Sequence, residues 1–330
     1  MALVDGYDLV IFDLDGVVYL GTEPVPGAAE AIRRLHERGI AVAYVTNNAS
    51  RRPGEVARLL GAVGVPADED EVTTSAQAAA ALLAGRLPAG SPVLVVGAQA
   101  LAAEVAGVGL RPVASATDRP TAVVQGYAPE VGWPHLAEAC VAVRGGAYWM
   151  ATNTDRTLPS PRGALPGNGA LVAAVATALD RQPDIVVGKP APTLFERAAQ
   201  RHGARRPLVV GDRLDTDIEG ARRAGMDSLL VFTGVSRPAE LLIAPTHRRP
   251  TYVAADLAGL FRPAGPPVGW RVVRTADGLE LDGDGDPVDA LRALCETVWS
   301  ADAAPGIRPR GDAAERALRE LGLLTAPAVH

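Results

Sequence analysis

The stretch Val10-Ile11-Phe12-Asp13-Leu14-Asp15-Gly16-Val17-Val18-Tyr19-Leu20-Gly21 is an apolar run that ends in two carboxylates one residue apart. Leu9 to Phe12 reads as a short buried strand, which places Asp13 where the chain leaves a sheet. Side chains alternate along an extended chain, so Asp13 and Asp15 point the same way, and Gly16 permits a sharp turn just beyond them. Two like charges there repel and lose hydration, so they call for a cation, a shared proton or a phosphate held with a metal. Taken alone, the stretch is equally a strand-to-turn junction with solvated aspartates.

The 330 residues allow two compact units or one core with a large insertion, and 48% hydrophobic residues fill a sizeable interior. Aromatics supply only 4%, so the core is expected to be aliphatic, as in helices packed on a parallel sheet. A net charge of −6 argues against a nucleic-acid partner. Cys140 and Cys295 stand far apart in helical-looking apolar patterns, which gives a disulfide framework or a zinc site no support. No basic segment precedes a long apolar one near Met1, and no run reaches the roughly 18 to 20 apolar residues of a spanning helix. The expectation is a soluble cytoplasmic protein without a membrane partner, a homo-oligomer being left open.

After the first strand, Ala29, Ile32 and Leu35 share one face of a helix that ends at Gly39, and Ile40 to Val45 forms the next strand. A strand, helix, strand order predicts a right-handed parallel unit, so the ends of both strands lie on one edge. Thr46-Asn47-Asn48-Ala49-Ser50 then sits near Asp13 and suits an anion with several acceptor oxygens, although Asn48 or Ser50 equally suits a cap for the helix that Pro53 begins. From Thr74 to about Asp180, strands at Val93–Val96, Thr121–Gln125 and Tyr148–Ala151 alternate with helices, the texture of an inserted α/β unit of about a hundred residues. Asn153-Thr154-Asp155-Arg156, with Pro159, Pro161 and Pro166, is a polar, stiffened return loop of the kind that carries ligand contacts or simply turns at the surface. The core pattern is expected to resume with a strand at Asp184–Val187 ending at Gly188-Lys189-Pro190, and with Leu208–Val210 running into Gly211-Asp212-Arg213-Leu214-Asp215-Thr216-Asp217.

Four strand ends thus deliver Asp13 with Asp15, Thr46, Lys189, and Asp212 with Asp217, and ligands of open parallel sheets bind beyond such ends. Hard oxygen donors from Asp13 and Asp212 suit octahedral Mg²⁺ better than zinc. With phosphate oxygens neutralised by Mg²⁺ and Lys189, Asp13 is the candidate for in-line attack on phosphorus, and Asp15 for the proton transfers.

These motifs resemble those of phosphatases of the haloacid dehalogenase (HAD) superfamily: Asp13-Leu14-Asp15-Gly16, then Thr46, then Lys189, then Gly211-Asp212 with Asp217. The resemblance implies Asp13 as nucleophile and Mg²⁺ ligand, Asp15 as acid/base with its carbonyl on the metal, Thr46, Asn47, Asn48 and Lys189 on phosphate, Asp212 on Mg²⁺, and Asp217 as a ligand or an acceptor behind it. It also implies a Rossmann-like parallel core at 1–76 and 183–261, interrupted at 77–182 by an α/β cap of the C2 type found in the 4-nitrophenylphosphatase and phosphoglycolate phosphatase branch (class IIA). Asn153, Asp155 and Arg156 are the expected specificity contacts from the cap. One departure is Gln125-Gly126-Tyr127-Ala128, where the branch leads one to expect an acid near position 128. Within the branch the chain resembles mycobacterial or actinobacterial glycerol 3-phosphate phosphatases, which implies hydrolysis of a small phosphate ester, glycerol 3-phosphate first and 2-phosphoglycolate or a sugar or nucleotide phosphate after it. A dehalogenase fits less well, since that branch lacks the acid at the place of Asp15.

Residues 262–330 read as a linker followed by a small α+β appendage, with a hairpin across Ala276-Asp277-Gly278 and an amphipathic helix over Asp289–Val298. Asp282-Gly283-Asp284-Gly285-Asp286-Pro287 opens like a calcium loop, but Pro287 stands where that loop needs glycine and Ala293 where it needs glutamate. Arg308-Pro309-Arg310-Gly311-Asp312-Ala313 is similar to the pyrophosphate loop of GCN5-related (GNAT) acetyltransferases, although a basic turn before a helix is the favoured reading of so short a match. The length is short for that fold, which points to a truncated GNAT-like appendage that packs or regulates. The competing reading of the whole chain is a catalytically weak sensor that binds phosphate or CoA.

Overall fold

The structure is a computed structural model that describes residues 1–158, 162–276, 278–300 and 306–324. Pro159, Pro161 and Asp277, named above in loops, lie outside the described residues. Strand β1 (Leu9–Asp13) is buried at every position and runs into a small hairpin of β2 (Tyr19–Leu20) and β3 (Glu23–Pro24). Helix α1 (Ala28–Glu37) buries Ala28, Ala31, Ile32 and Leu35 on one face, and β4 (Ala41–Thr46) follows. Helix α2 (Pro53–Ala62) begins with proline, whose missing N–H costs nothing in a first turn. After β5 (Val72–Thr74), the Thr74 hydroxyl caps α3 (Ser75–Arg86) by accepting the Gln77 N–H at 3.2 Å.

The inserted unit comprises β6 (Pro92–Val96), α4 (Gln99–Gly107), β7 (Arg111–Val113), β8 (Ala122–Gln125), α5 (Trp133–Arg144), β9 (Tyr148–Ala151), the antiparallel pair β10 (Thr157–Leu158) and β11 (Leu165–Pro166), α6 (Asn168–Leu179) and β12 (Ile185–Val186). The chain then continues through α7 (Thr193–Arg201), β13 (Pro207–Gly211), a π turn over Leu214–Ile218, α8 (Glu219–Arg223), β14 (Asp227–Val231), α9 (Pro238–Leu242) and β15 (Tyr252–Ala254).

Two parallel sheets result, in the orders β15-β14-β13-β1-β4-β5 and β12-β9-β8-β6-β7. In the first, β1 lies between β13 and β4, with Phe12 level with Val210 and Tyr44, so the carboxyl ends of these three strands share one edge. One apolar cluster joins the sheets: Leu9, Ile11, Ala43, Val45 and Val209 pack with α3 and α7 residues and with Val93, Ala122, Val124 and Met150.

One expectation needs correction. The sequence pattern places the strand before Lys189 in the core sheet, yet Ile185–Val186 pairs with Met150–Ala151 as the edge of the second sheet. Asp184 anchors it there, its carboxylate accepting the Trp149 N–H at 2.7 Å while its own N–H donates to the Trp149 carbonyl at 2.8 Å. A short apolar run signals a strand without saying which sheet it joins. Lys189 therefore reaches the crevice from the end of a strand of the inserted unit.

The C-terminal region folds as β16 (Trp270–Thr275), β17 (Gly278–Gly283), α10 (Pro287–Trp299), β18 (Ile307–Arg310) and α11 (Asp312–Glu320), its sheet ordered β16-β17-β18. Asp286 starts α10 by accepting the Val288 N–H at 2.9 Å, a cap followed by proline in the first turn. Leu281, Leu291, Leu294 and Leu318 are buried in one cluster with Leu230, Leu241 and, at the two ends of the π turn, Leu214 and Ile218. The appendage is thus packed onto the core rather than tethered to it.

Because Leu294 is fully buried in that shared cluster, Leu294→Ala should cost about 2–5 kcal/mol, the usual range for such a truncation. Denaturant unfolding is expected to move the whole transition. A separate early transition, with the core's midpoint unchanged, would mean that the appendage is an independent unit.

Candidate active site

The edge shared by β1, β4 and β13 gathers most of the residues singled out by sequence. Asp13 ends β1, Thr46 ends β4, and Asp212 follows β13 by one residue. Asp217 is carried by the π turn, a form of helix often found at functional sites. Carboxylate oxygens of Asp13, Asp212 and Asp217 lie within 4.8 Å of one another, and all three residues are buried. Into this group reaches Lys189, only 4% exposed, whose Nζ donates to Asp13 Oδ1 and, at 2.7 Å, to Asp217 Oδ1.

Burial alone would strip the Lys189 proton, but the charges of Asp13 and Asp217 and their hydrogen bonds win, and the ammonium is held well above its ordinary pKa. Burial and the neighbouring Asp217 and Asp13 push the Asp212 carboxyl far up; burial raises Asp217 as well, with Lys189 opposing. One ammonium therefore faces three crowded carboxylates.

Asp212 Oδ2 accepts the Val235 N–H at 2.6 Å, whereas the buried Asp212 Oδ1 has no hydrogen-bond partner among the described residues. An orphaned carboxylate oxygen beside two further carboxylates suits a hard divalent cation, the donor set of Mg²⁺. Gly16 makes this packing possible. Its φ of 94° turns the chain back, and a Cβ there would lie 2.6 Å from Asp212 Oδ2. The Gly16 carbonyl accepts the Thr233 hydroxyl at 2.5 Å, tying the turn after β1 to the loop after β14.

Asp15 lies exposed at the crevice mouth, and the surrounding protein still raises its carboxyl through desolvation, against the Gly21 N–H and the charges of Lys189 and Arg213. Tyr19 stands beside it, its phenol pushed up to about 12 by burial and by Asp13 and Asp15. Thr46 Oγ1 accepts the Asn48 N–H at 3.1 Å, which leaves its own proton to donate. Asn48 Oδ1 turns to the Ser50 N–H and hydroxyl at 2.7 and 2.8 Å, so it caps a local turn, and Glu55 serves the start of α2 instead by accepting the Arg52 N–H at 2.7 Å.

The Asn47 carboxamide is directed to Lys189 and Asp155. Of the three return-loop residues, Asn153 is buried and bonded to the Asn47 carbonyl at 2.7 Å, Asp155 is half-buried beside Asn47, and Arg156 is exposed. Burial raises the Asp155 carboxyl despite the Asn47 bond and the nearby charges of Lys189 and Arg213.

Three contributors escaped the sequence reading. Arg213 is fixed by Asp215 through Nε at 3.1 Å and Nη2 at 3.0 Å, and its charge bears on Asp15, Asp155 and Asp217. Ser75 Oγ donates to the Asn47 carbonyl at 2.6 Å, and Ser236 Oγ accepts the Leu214 N–H at 3.0 Å. The only hint of the last was Thr233-Gly234-Val235-Ser236, small and polar residues directly after a buried strand.

Fold and site together define a hydrolase that gathers carboxylates and one lysine at the carboxyl edge of a parallel sheet. The chain belongs to the haloacid dehalogenase-like hydrolase family: that family's profile matches residues 10–111 and the related HAD-hydrolase-like profile residues 186–260. A GCN5-related N-acetyltransferase like domain matches residues 268–323, covering the appendage. The chain is 46% identical over 317 residues to the D-glycerol 3-phosphate phosphatase of Mycobacterium tuberculosis, covering 92% of this chain and 89% of that protein. It is 37% identical over 253 residues to an acid sugar phosphatase of Staphylococcus saprophyticus, covering 76% of this chain and 95% of the other. A crystal structure of a glycerol phosphate phosphatase from M. tuberculosis in complex with magnesium superposes with a TM-score of 0.93 at 44% identity, covering 98% of this chain and 99% of that one. A 4-nitrophenylphosphatase from Thermotoga maritima gives 0.73 at 31% identity over 79% of this chain and 98% of its own.

The raised carboxyls carry a sign for stability. Asp212 and Asp217 titrate in the folded protein above the ordinary carboxylate value of about 4, so the stability they lend is complete below that value and is lost as pH rises through their raised values. With chelator present, the thermal midpoint should receive a falling contribution from this pair between about pH 5 and about pH 8. Added Mg²⁺ should raise the midpoint more at the higher pH, where fewer protons compete for the oxygens. A Mg²⁺ effect that is equal at both pH values, or absent, would contradict the assignment of the buried trio as a cation site.

Proposed function

We propose that the chain is a Mg²⁺-dependent phosphomonoesterase acting on a small phosphate ester, with glycerol 3-phosphate as its main substrate. The observation that carries the chemistry is the buried Asp13–Lys189–Asp217 group beside the unpartnered oxygen of Asp212. The substrate assignment is supported by the M. tuberculosis relative, whose likeness extends through the cap and the appendage.

Asp13, Asp212 and Asp217 would hold Mg²⁺ as direct ligands or close acceptors, and the ion when bound supplies charge to the phosphate oxygens. Lys189 adds a second cation, fixed at the site, and the Thr46 hydroxyl donates to a phosphate oxygen. A carboxylate oxygen of Asp13 attacks phosphorus in line; the Asp13 O–P bond forms as the ester P–O bond breaks, and the departing alkoxide takes the proton of Asp15. Water then attacks the aspartyl-phosphate, Asp15 recovers a proton from it, and the Asp13 carboxylate is released with inorganic phosphate. A raised Asp15 carboxyl fits this role, because the acid must hold its proton when the ester binds.

The inserted unit faces the leaving group and sets substrate choice. The free thiols Cys140 and Cys295 support a reducing, cytoplasmic setting, and no described helix is long and apolar enough to cross a membrane.

Phosphate release across a panel of esters, with and without Mg²⁺, tests the reading. Glycerol 3-phosphate should give the highest kcat/KM and require the ion, and Asp13→Asn should remove turnover while the thermal midpoint stays within a few degrees. Folded protein that releases phosphate from no ester would sink the proposal, whereas preference for another ester would sink only the substrate.

A further inference from the structure

Three chain passes meet at one carboxamide. Asn47, from the end of β4, accepts the Lys189 N–H on Oδ1 at 2.7 Å and donates from Nδ2 to the Lys189 carbonyl at 3.2 Å. The same Nδ2 donates to both oxygens of Asp155, each at 3.1 Å. Its main-chain carbonyl accepts Ser75 Oγ at 2.6 Å and Asn153 Nδ2 at 2.7 Å. Behind Asp155, Asn153 Oδ1 accepts the Asp155 N–H at 3.2 Å, and the Asn153 carbonyl accepts Asn168 Nδ2 at 2.7 Å from the start of α6. The approach is so close that a Cβ on Gly188 would fall 2.6 Å from both Asn47 Oδ1 and the Thr152 carbonyl.

A carboxamide offers one acceptor oxygen and two N–H donors, and here the oxygen and both donors are engaged. Nothing is left over for a phosphate unless one of these bonds breaks. The lysine it grips is a flexible four-carbon stem, which loses rotamer entropy when it is held still. Anchoring the Lys189 main chain on both sides, while Asp13 and Asp217 take the ammonium, pins the stem at its two ends.

We propose that Asn47 is a positioning residue, and that the Asn47–Asp155 contact is a latch between the inserted unit and the parallel core that fixes Lys189 against the phosphate. A misplacement of about 1 Å at such a group can cost on the order of 100-fold in rate, so the latch matters without touching the substrate. The inference rests on the phosphatase reading for its kinetic arm and has a binding arm that does not.

The test uses the full chain with Mg²⁺ and compares Asn47→Ala, Asp155→Ala, Asp155→Asn and the double alanine variant on glycerol 3-phosphate and 4-nitrophenyl phosphate. Asn47→Ala should lower kcat/KM by about 10- to 100-fold, the scale seen when a group that orients a site residue is removed. The factor should be the same for both esters, because Lys189 meets only the phosphate they share. Asp155→Ala should give a smaller loss, Asp155→Asn should recover part of it by keeping an acceptor oxygen, and the double variant should fall no further than Asn47→Ala. Losses that differ between the esters would make Asp155 or Asn47 a leaving-group contact and overturn the latch, as would fully additive losses.

Should the wild type hydrolyse neither ester, the phosphatase reading fails and calorimetric affinity for inorganic phosphate decides alone. A weakening of about 10-fold in Asn47→Ala supports the latch, and unchanged affinity overturns it. If Asn47→Ala does not fold, the Asp155 pair carries the same comparison.

Discussion

A lysine ammonium buried among aspartates is the constraint on which the rest of this structure depends. Away from water, Lys189 keeps its proton only because Asp13 and Asp217 face it, and those carboxylates stay close together only because Lys189 lies between them. Removing the lysine would leave those carboxylates buried without a counter-charge, a far larger cost than the net value of the pairs, whereas neutralising Asp13 alone leaves Lys189 still paired with Asp217. The surroundings are shaped accordingly. Gly16 and Gly188 stand where a side chain would collide with Asp212 or Asn47, and the Thr233–Ser236 loop supplies a hydroxyl and an N–H to the turns that hold the acids. One Asp212 oxygen still lacks a partner among the described residues, and that imbalance is the imprint of the cation the site is built to receive.

The polar centre is positioned by apolar packing on both sides. Leu9, Ile11, Ala43 and Val45 of the first sheet and Val93, Val124 and Met150 of the second belong to one cluster, so the two parallel sheets do not meet through polar contacts alone. On the far flank, the appendage buries Leu281, Leu291 and Leu294 against Leu214 and Ile218, the two ends of the turn that presents Asp217. A region related to acetyltransferases thus serves here as a wall behind a hydrolase loop. The helix α11 that follows Gly311 belongs to that wall through Ala314, Ala317 and Leu318.

Much of the centre was legible because chemistry and strand pattern coincide. Asp13 and Thr46 come directly after apolar runs, Asp212 and Asp217 a few residues after another, and the right-handed rule for parallel units places such ends together without coordinates. Lys189 was legible for the same reason, but its sheet was not. Ile185–Val186 is too short for its apolar pattern to choose a partner, and the choice fell to Asp184, whose bond to the Trp149 main chain spans 35 residues of sequence. By sequence Asn47 is expected to donate to phosphate, because an amide at a strand end offers N–H groups. Whether those groups face a ligand or a neighbouring loop depends on Asp155, 108 residues away.

What the sequence determined by itself is the order of acids, hydroxyl and lysine along an alternation of strands and helices, since local periodicity and the handedness of parallel crossovers leave few alternatives. Tertiary structure alone decided which of these groups touch: that Lys189 stands between Asp13 and Asp217, that Asn47 grips Lys189 and Asp155, and that the appendage packs behind the π turn. Those contacts join residues far apart in the chain through single hydrogen bonds and buried faces. Their energies depend on distances of a few tenths of an ångström, and no local pattern in the sequence encodes such distances.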